Sequence, residues 1–447
     1  MALTGIQIFK LLPKTNCKEC AEPTCLAFAM KLAAGKAELA SCPYVSDEAK
    51  AQLSEASAPP IRGVVLGTGD NQIKVGEELV LYRHEKTFVN PTAIAVLIED
   101  SMSDDEVTAK IDQLNNTSFE RVGYILKANL AAVRCKSGDA AKFKALVEKV
   151  SSATTNGIVL ISDSPDCIKE AVSVCADKKP LIYSATKDTV DAFSEIAKAH
   201  NVAIAVKGTI DEIVEMTEKL IAAGHKDIVI DADEGTYKGT MKNQTIVRRS
   251  ALKKKFRPLG FPTISFACDM TDDDLYETTL AAGLISKYAG IVVVSNIDAP
   301  SLLALTVNRL NIFTDPQRPM VMEQGIYEFN NPTADSPILI TTNFALTYFI
   351  VSAEIEASRV PTWLLIMDTE GMSVLTAWSA GKFVADAMAP FVIKSGIAEK
   401  ISHKDIIIPG YVAQLSGEFQ EELDGWDVKV GPREAGDLPK YLRNIAG

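Results

Sequence analysis

Histidine is scarce. The 447 residues hold four, at His84, His200, His225 and His403, too far apart to act together locally. No H-x-H pair occurs, so no histidine-built metal centre is expected. Positive charge is in deficit: 46 Lys and Arg against 58 Asp and Glu leave a net charge of −12. A surface that tracks phosphates needs clustered Lys and Arg, so no nucleic-acid partner is expected. The one basic run, Arg248-Arg249 to Lys253-Lys254-Lys255, falls on an expected helix and reads as a solvated face or a protein contact.

Long apolar runs are missing too. MSVLTAWSAGKFVADAMAPFVI comes nearest, but Lys382 and Asp386 interrupt it, so no membrane span is expected. The start, MALTGIQIFKLLPK, has no basic stretch ahead of a long apolar core, and no signal peptide is expected. The default compartment is the cytoplasm, where structural disulfides are disfavoured. There is no G-x-G-x-x-G, so a dinucleotide is not favoured either.

What is present is an uneven distribution of thiols. Cys17, Cys20, Cys25 and Cys42 crowd into NCKECAEPTCLAFAMKLAAGKAELASCP, spaced C-x2-C-x4-C-x16-C, while Cys135, Cys167, Cys175 and Cys268 are scattered. Four thiolates can hold a [4Fe–4S] cluster or a tetrahedral zinc. Structural zinc usually takes two C-x2-C knuckles, and here there is one. Three cysteines in nine residues with a remote fourth favour the iron–sulfur cluster, zinc being the alternative. The scattered cysteines read as small buried hydrophobes. Cys268 stands out because it ends an expected barrel strand beside Asp269.

The patterning divides the chain. Residues 1–57 form the cysteine module, and 58–92 a linker with short β structure around a Gly-Asp-Asn turn. From 93 to 315 apolar runs alternate with helical patterns: AIAVLIED, RVGYILK, GIVLISD, LIYSAT, VAIAVKG, DIVIDAD, TISFACD and GIVVVSN. Continuous apolar strands signal burial on both faces, and eight of them favour a closed (β/α)₈ TIM barrel over an open sheet. The Pro/Asn-rich 316–337 reads as a linker. Residues 338–447, with ILITTNF, TWLLIMD, DIIIPGY and WDVKVGP, form a doubly wound, flavodoxin-like domain. The whole is α/β multidomain, with hinges expected around 57–60 and 315–337.

Two edges could carry chemistry. The barrel's C-terminal strand ends bring Glu99, Asp100, Asp163, Ser184, Lys207, Asp231, Asp233, Asp269, Asn296 and Asp298, equally readable as a small-molecule site or as helix caps. The last domain brings small and hydroxylic residues to its strand ends, which suits a flat ligand.

The N-terminal module together with TTNFALTY, DTEGMSVLTAWSAGKF, IPGYVAQLSGE and VGPREA resembles, over the whole length, the large (gamma) subunit of the corrinoid iron–sulfur protein of the anaerobic acetyl-CoA pathway. The resemblance implies a methyl carrier. Its cobamide would take a methyl group from methyltetrahydrofolate through a separate methyltransferase and pass it to the nickel cluster of CO dehydrogenase/acetyl-CoA synthase. A small subunit would complete a heterodimer. By resemblance the cobamide contacts fall on Thr341, Thr342, Asn343, Gly371, Ser373, Leu375, Thr376, Gly410, Gly431, Pro432 and Arg433, and the cluster ligands on Cys17, Cys20, Cys25 and Cys42. Cobalamin domains usually carry D-x-H-x-x-G after the first strand. Here that strand ends Thr-Thr-Asn-Phe-Ala-Leu, so base-off binding without a histidine ligand is expected. The cluster would then return an electron to cobalt that has slipped from Co(I) to Co(II). Two other readings stay open: a self-sufficient methyltransferase with methylpterin in its own barrel, and a ferredoxin-linked redox enzyme with a nucleotide in its last domain.

Overall fold

The computed structural model describes residues 5–33, 37, 39–46, 49–50, 53, 59–232 and 234–446. The chain forms two compact units: Met1–Phe119 with Leu126–Phe313, and Glu120–Ile125 with Thr314–Gly447.

In the first unit, helices Gly5–Leu11 and Cys25–Ala33 bury Ile8, Leu12, Phe28 and Ala29 together with Cys25 and Cys42. A hairpin of β1 (Val64–Leu66) and β2 (Ile73–Val75) follows, as the alternating pattern predicts. The strand β3 (Ala93–Glu99) opens the large sheet. Next in the chain come β4 (Ser118–Arg121) and β5 (Tyr124–Lys127), which pair only with each other and whose tip, Glu120–Ile125, belongs to the second unit. The sheet resumes with β6 (Leu130–Arg134), β7 (Gly157–Ile161), β8 (Leu181–Ala185) and β9 (Ala203–Lys207). It ends with β10 (Ile228–Asp231), β11 (Ile264–Phe266) and β12 (Ile291–Val294).

These eight parallel strands run β10-β9-β8-β7-β6-β3-β12-β11, and a parallel bridge from Ile230 to Thr263 nearly closes the ring. The expected TIM barrel is therefore present, with one strand misplaced: RVGYILK is not in it. Val122 (φ 53°) and Gly123 (φ 74°) are both left-handed, which makes a tight hairpin turn there, and the barrel strand is the following LAAVR.

Inside the ring, Ala95, Leu97, Ala132, Val159, Tyr183, Ala205, Phe266 and Val293 meet Val64, Leu66 and Val75 of the first hairpin. The Gly67 amide donates to Lys179 O at 3.4 Å, just before β8, so the hairpin closes the N-terminal mouth. The segment between residues 58 and 92 is thus part of the barrel core. Arg248 also departs from expectation, because it is 5% exposed and not on a solvated face. It pairs with Glu78 at 2.9 Å, donates to Val80 O at 2.7 Å, and lies between the rings of Phe88 and Tyr288.

The second unit has five strands: β13 (Gly325–Phe329), β14 (Ile338–Thr342), β15 (Thr362–Met367), β16 (Asp405–Ile408) and β17 (Asp427–Val430). Their order is β13-β15-β14-β16-β17, parallel except for β13. The doubly wound expectation holds, but the middle of the expected 316–337 linker is the five-residue strand β13, paired along its length with β15. Of the expected hinges, residues 57 and 58 lie outside the described residues.

Removing Arg248 would leave Glu78 buried without a counter-charge. Arg248→Ala is expected to destabilise the barrel by about 3–5 kcal/mol. Amide hydrogen exchange in β11 and β12 checks this; unchanged protection there would rule it out.

Candidate functional site

In open α/β sheets ligands sit beyond the strands' C-terminal ends, where the strand order reverses. Here that point lies between β14 and β16, which pair at a single position, Leu339 with Ile407. A cavity of about 350 Å³ opens there. Its walls are largely apolar: Leu339, Ile340, Val351, Leu364, Ile407, Ile408 and Leu438, with Ile350, Leu375 and Tyr411 towards solvent.

Of the residues expected at a cofactor, Thr341, Ser373, Leu375, Gly431, Pro432 and Arg433 line this cavity. The other five have distinct places. Thr342 ends β14 fully buried, and its Oγ1 has no hydrogen-bond partner. Thr376 shares a hydrogen bond with Ser373 at 3.0 Å. Gly410 and Gly431 knit the ends of β16 and β17: Gly410 N donates to Pro432 O at 3.0 Å and Gly431 N to Ile408 O at 2.9 Å. A Cβ on Gly410 would lie 2.5 Å from Gly431 O, so no side chain fits. Gly371 has φ +72°, and a Cβ there would lie 2.7 Å from both Pro319 and Val321.

Asn343 is the organiser. Its Nδ2 donates to Asp368 at 2.8 Å, and its Oδ1 accepts from the Thr369 and Gly371 amides, each at 3.0 Å, and from the Thr369 hydroxyl at 3.1 Å. The Oδ1 is consumed by the protein itself, so Asn343 positions the 368–371 turn. Sequence reasoning missed Ile350, Pro409, Tyr411 and Glu434 on the cavity wall. IPGY was visible as a motif, whereas Ile350 reads as any helix residue.

Of the four histidines, His403 is the one in this unit, and its Nε2 contacts Ser336 O at 3.0 Å, at the opposite strand edge from the cavity. No imidazole among the described residues lines the cavity.

The cysteine module shows a second preorganised loop. Lys14, Asn16, Lys18 and Ala21 all have positive φ, between 50° and 68°. Successive residues alternating between right- and left-handed backbone aim N–H groups into a common concavity, a form that cradles anions and iron–sulfur clusters. Asn16 N–H points to Cys25 Sγ at 3.4 Å, while Asn16 Oδ1 accepts from Cys25 N at 2.8 Å. Cys25 and Cys42 are buried, Cys20 is half-buried and Cys17 is exposed. Among the described residues, no three or more Cys, His, Asp or Glu gather around a single-ion position.

The barrel rim resolves mostly into pairs and caps. Arg134 grips both oxygens of Asp269 at 2.7 Å and reaches Glu99 at 3.4 Å. Burial alone would pull Arg134 down, but the carboxylates of Asp269 and Glu99 outweigh it and hold the guanidinium firmly charged. Tyr183 donates to buried Asp231 at 2.6 Å; burial first, then that carboxylate, pushes the phenol up. Asp100 accepts from Ser137 and the 136–137 amides, Ser184 donates to Asp163 at 3.1 Å, and Asp298 caps the helix Ala299–Phe313 through Ser301 N. Asn296 braces Asp298 N, and Lys207 lies over the Tyr183 ring. Asp233 lies outside the described residues. Burial pushes the Cys268 thiol up, so it stays protonated beside Asp269. Arg134 and Tyr183 were not picked out from the sequence, the first because its strand was misassigned.

The family model described as CO dehydrogenase/acetyl-CoA synthase delta subunit matches residues 63–442, and one for an Fe–S cluster matches residues 12–44. The corrinoid/iron-sulfur protein large subunit of Moorella thermoacetica is 44% identical over 448 aligned residues, 100% of both chains. The chain belongs to the family of corrinoid/iron–sulfur protein large subunits. Family members also include the acetyl-CoA decarbonylase/synthase complex subunit gamma of Methanothermobacter thermautotrophicus, 32% identical over 100% of both chains. Among solved structures, 7,8-dihydropteroate synthase from Vibrio fischeri is 12% identical, with a TM-score of 0.39 over 53% of this chain and 100% of its own. Nothing about ligands follows from that likeness.

Replacing Asn343 by Leu should strand three donors of the 368–371 turn. A loss of about 3 kcal/mol in the second unit is expected. Deuterium exchange at Thr369 and Gly371 is the readout, and protection equal to the parent chain would show that the turn holds itself.

Proposed function

We propose that the chain is the methyl carrier of an acetyl-CoA pathway, with a cobamide in the β14/β16 crevice and a [4Fe–4S] cluster on Cys17, Cys20, Cys25 and Cys42. The observation that carries this reading is the largely apolar cavity at the β14/β16 switch point, edged by the polar residues Thr341, Ser373 and Arg433. When bound, the cobamide supplies a cobalt nucleophile for methyl transfer, and the cluster supplies a low-potential electron.

The chain's own residues then do the following. Thr341 and Ser373 would offer hydroxyls to the ring's polar edge, while Leu375, Ile350 and Tyr411 would cover its apolar face. Gly410 and Gly431 keep the rim low. With no imidazole lining the cavity among the described residues, the chain would offer cobalt no histidine ligand, and the apolar slot lined by Leu339, Leu364 and Ile407 would suit a flat heterocycle such as a displaced lower base. In the cysteine module the left-handed loop sets the Asn16 amide on Cys25 Sγ, a contact that would favour the thiolate and tune the cluster's potential.

The relatives' names speak of a large subunit and of acetyl-CoA synthase complexes, which supports a small-subunit partner and delivery to that synthase. A separate methyltransferase as methyl source and a cytoplasmic location complete the proposal. No helix among the described residues is long and apolar enough to cross a membrane. A self-sufficient methyltransferase gains little support from the barrel mouth, where Arg134, Asp269, Tyr183 and Asp231 are engaged with one another.

Metal analysis of the purified chain should give about four iron and one cobalt, with no zinc. Cys20→Ala should leave methyl transfer from a fully reduced start near the parent rate, and abolish recovery after oxidation to Co(II). Unimpaired recovery would refute the reactivation role without touching the carrier role.

A further inference from the structure

Cys135 and Cys167 are distant in sequence and belong to neither expected site. Cys135 directly follows β6, held by its N–H to Ile161 O at 2.8 Å. Cys167 sits in the first turn of the helix Pro165–Val172, after the neighbouring strand β7. The parallel pairing of β6 with β7 brings the two strand ends together and leaves the sulfurs 3.8 Å apart. Cys167 is buried and Cys135 is half-exposed, so one sulfur of the pair can be reached from solvent.

We propose that Cys135 and Cys167 are a redox modification site, closing to an intramolecular disulfide when the protein meets a hydroperoxide. A disulfide bond of ~2.05 Å needs the sulfurs to approach by about 1.8 Å, within reach of side-chain rotation. Cys135 gives its proton to water, its thiolate attacks hydrogen peroxide, the O–O bond breaks, and a sulfenic acid forms while the departing hydroxide takes up the proton as water. The Cys167 sulfur then attacks that sulfenic sulfur, the S–O bond breaks, and a second water leaves. Two thiols are oxidised by two electrons and one peroxide becomes two waters. Burial pushes the Cys135 thiol up to about 11 against the pull of the Gly138 amide, with Cys167 and the Asp100 carboxylate adding to the rise. Cys135 is thus mostly protonated at neutral pH, and closure should speed up as the pH rises. Closure would tie the 135–139 loop, whose amides grip Asp100, to the helix Pro165–Val172, beside the Arg134–Asp269 pair at the barrel mouth. This inference is independent of what the second unit binds.

The test uses the intact holoprotein under anaerobic conditions. One equivalent of hydrogen peroxide is added, free thiols are alkylated in denaturant, and peptides are mapped by mass spectrometry. A Cys135–Cys167 cross-linked peptide from most chains, reversed by dithiothreitol, is expected. Cys135→Ser should remove that peptide while leaving iron and cobalt content at parent levels. Both cysteines recovered alkylated, or either linked instead to a cysteine of the N-terminal module, would overturn the proposal.

Discussion

β14 and β16 lie side by side at the centre of the second sheet, yet they share one paired position, Leu339 with Ile407. Chain direction forces this. The crossover from β14 goes one way to β15, and the chain later returns on the other side to form β16, so the following segments leave in opposite directions. Nothing covers the gap between them. Everything that follows in the unit is arranged around that gap: glycines at 410 and 431 draw its far wall together, and Asn343 holds the opposite turn in place with its single amide. Remove the divergence and Thr342 becomes an ordinary core threonine.

The barrel obeys the same rule of strand ends with a different outcome. It too collects carboxylates, a guanidinium and a phenol at one mouth, but there each finds a partner within the rim. Arg134 is balanced by Asp269 and Glu99, and Tyr183 by Asp231. A polar group satisfied by its neighbour gains little by turning to a ligand, because the net worth of one hydrogen bond is about 1 kcal/mol either way. The rim groups are engaged with one another, whereas the crevice is an open, largely apolar cavity. That difference supports the cofactor site proposed for the second unit.

Most of this was legible from residue order. Eight apolar runs announced a closed parallel sheet, and strand-end hydroxyls pointed to the second sheet's edge. The failures have physical causes. RVGYILK is as apolar as a barrel strand, and only Val122 and Gly123 in left-handed backbone reveal a hairpin; β-branched valine is a poor advertisement for that conformation. GIYEF hid between prolines and asparagines because an edge strand, paired on one side, needs little apolar content. Arg248 was taken for surface because it stands in a basic run, and no local pattern discloses a carboxylate 170 positions away. The cavity residues Ile350 and Tyr411 owe their role to which way a helix and a loop face, which sequence spacing cannot supply.

The cysteine module presents the opposite balance, with strain written into the backbone and little core to offset it. Lys14, Lys18 and Ala21 each adopt a left-handed conformation costing roughly 1–2 kcal/mol for a residue with a Cβ, and asparagine at 16 is the one tolerant member of the set. Two short helices around Phe28, Ile8 and Leu12 contribute a small apolar core. Such a loop holds its shape when something at its centre rewards the inward amides, and four thiolates on a cluster would do so directly. Binding and folding of this module are then one event, as in other small metal-built domains. The cysteine spacing is therefore half of the signal. The other half is a run of lysines and an alanine in backbone positions that glycine would have filled at lower cost, had the loop only needed to be a loop.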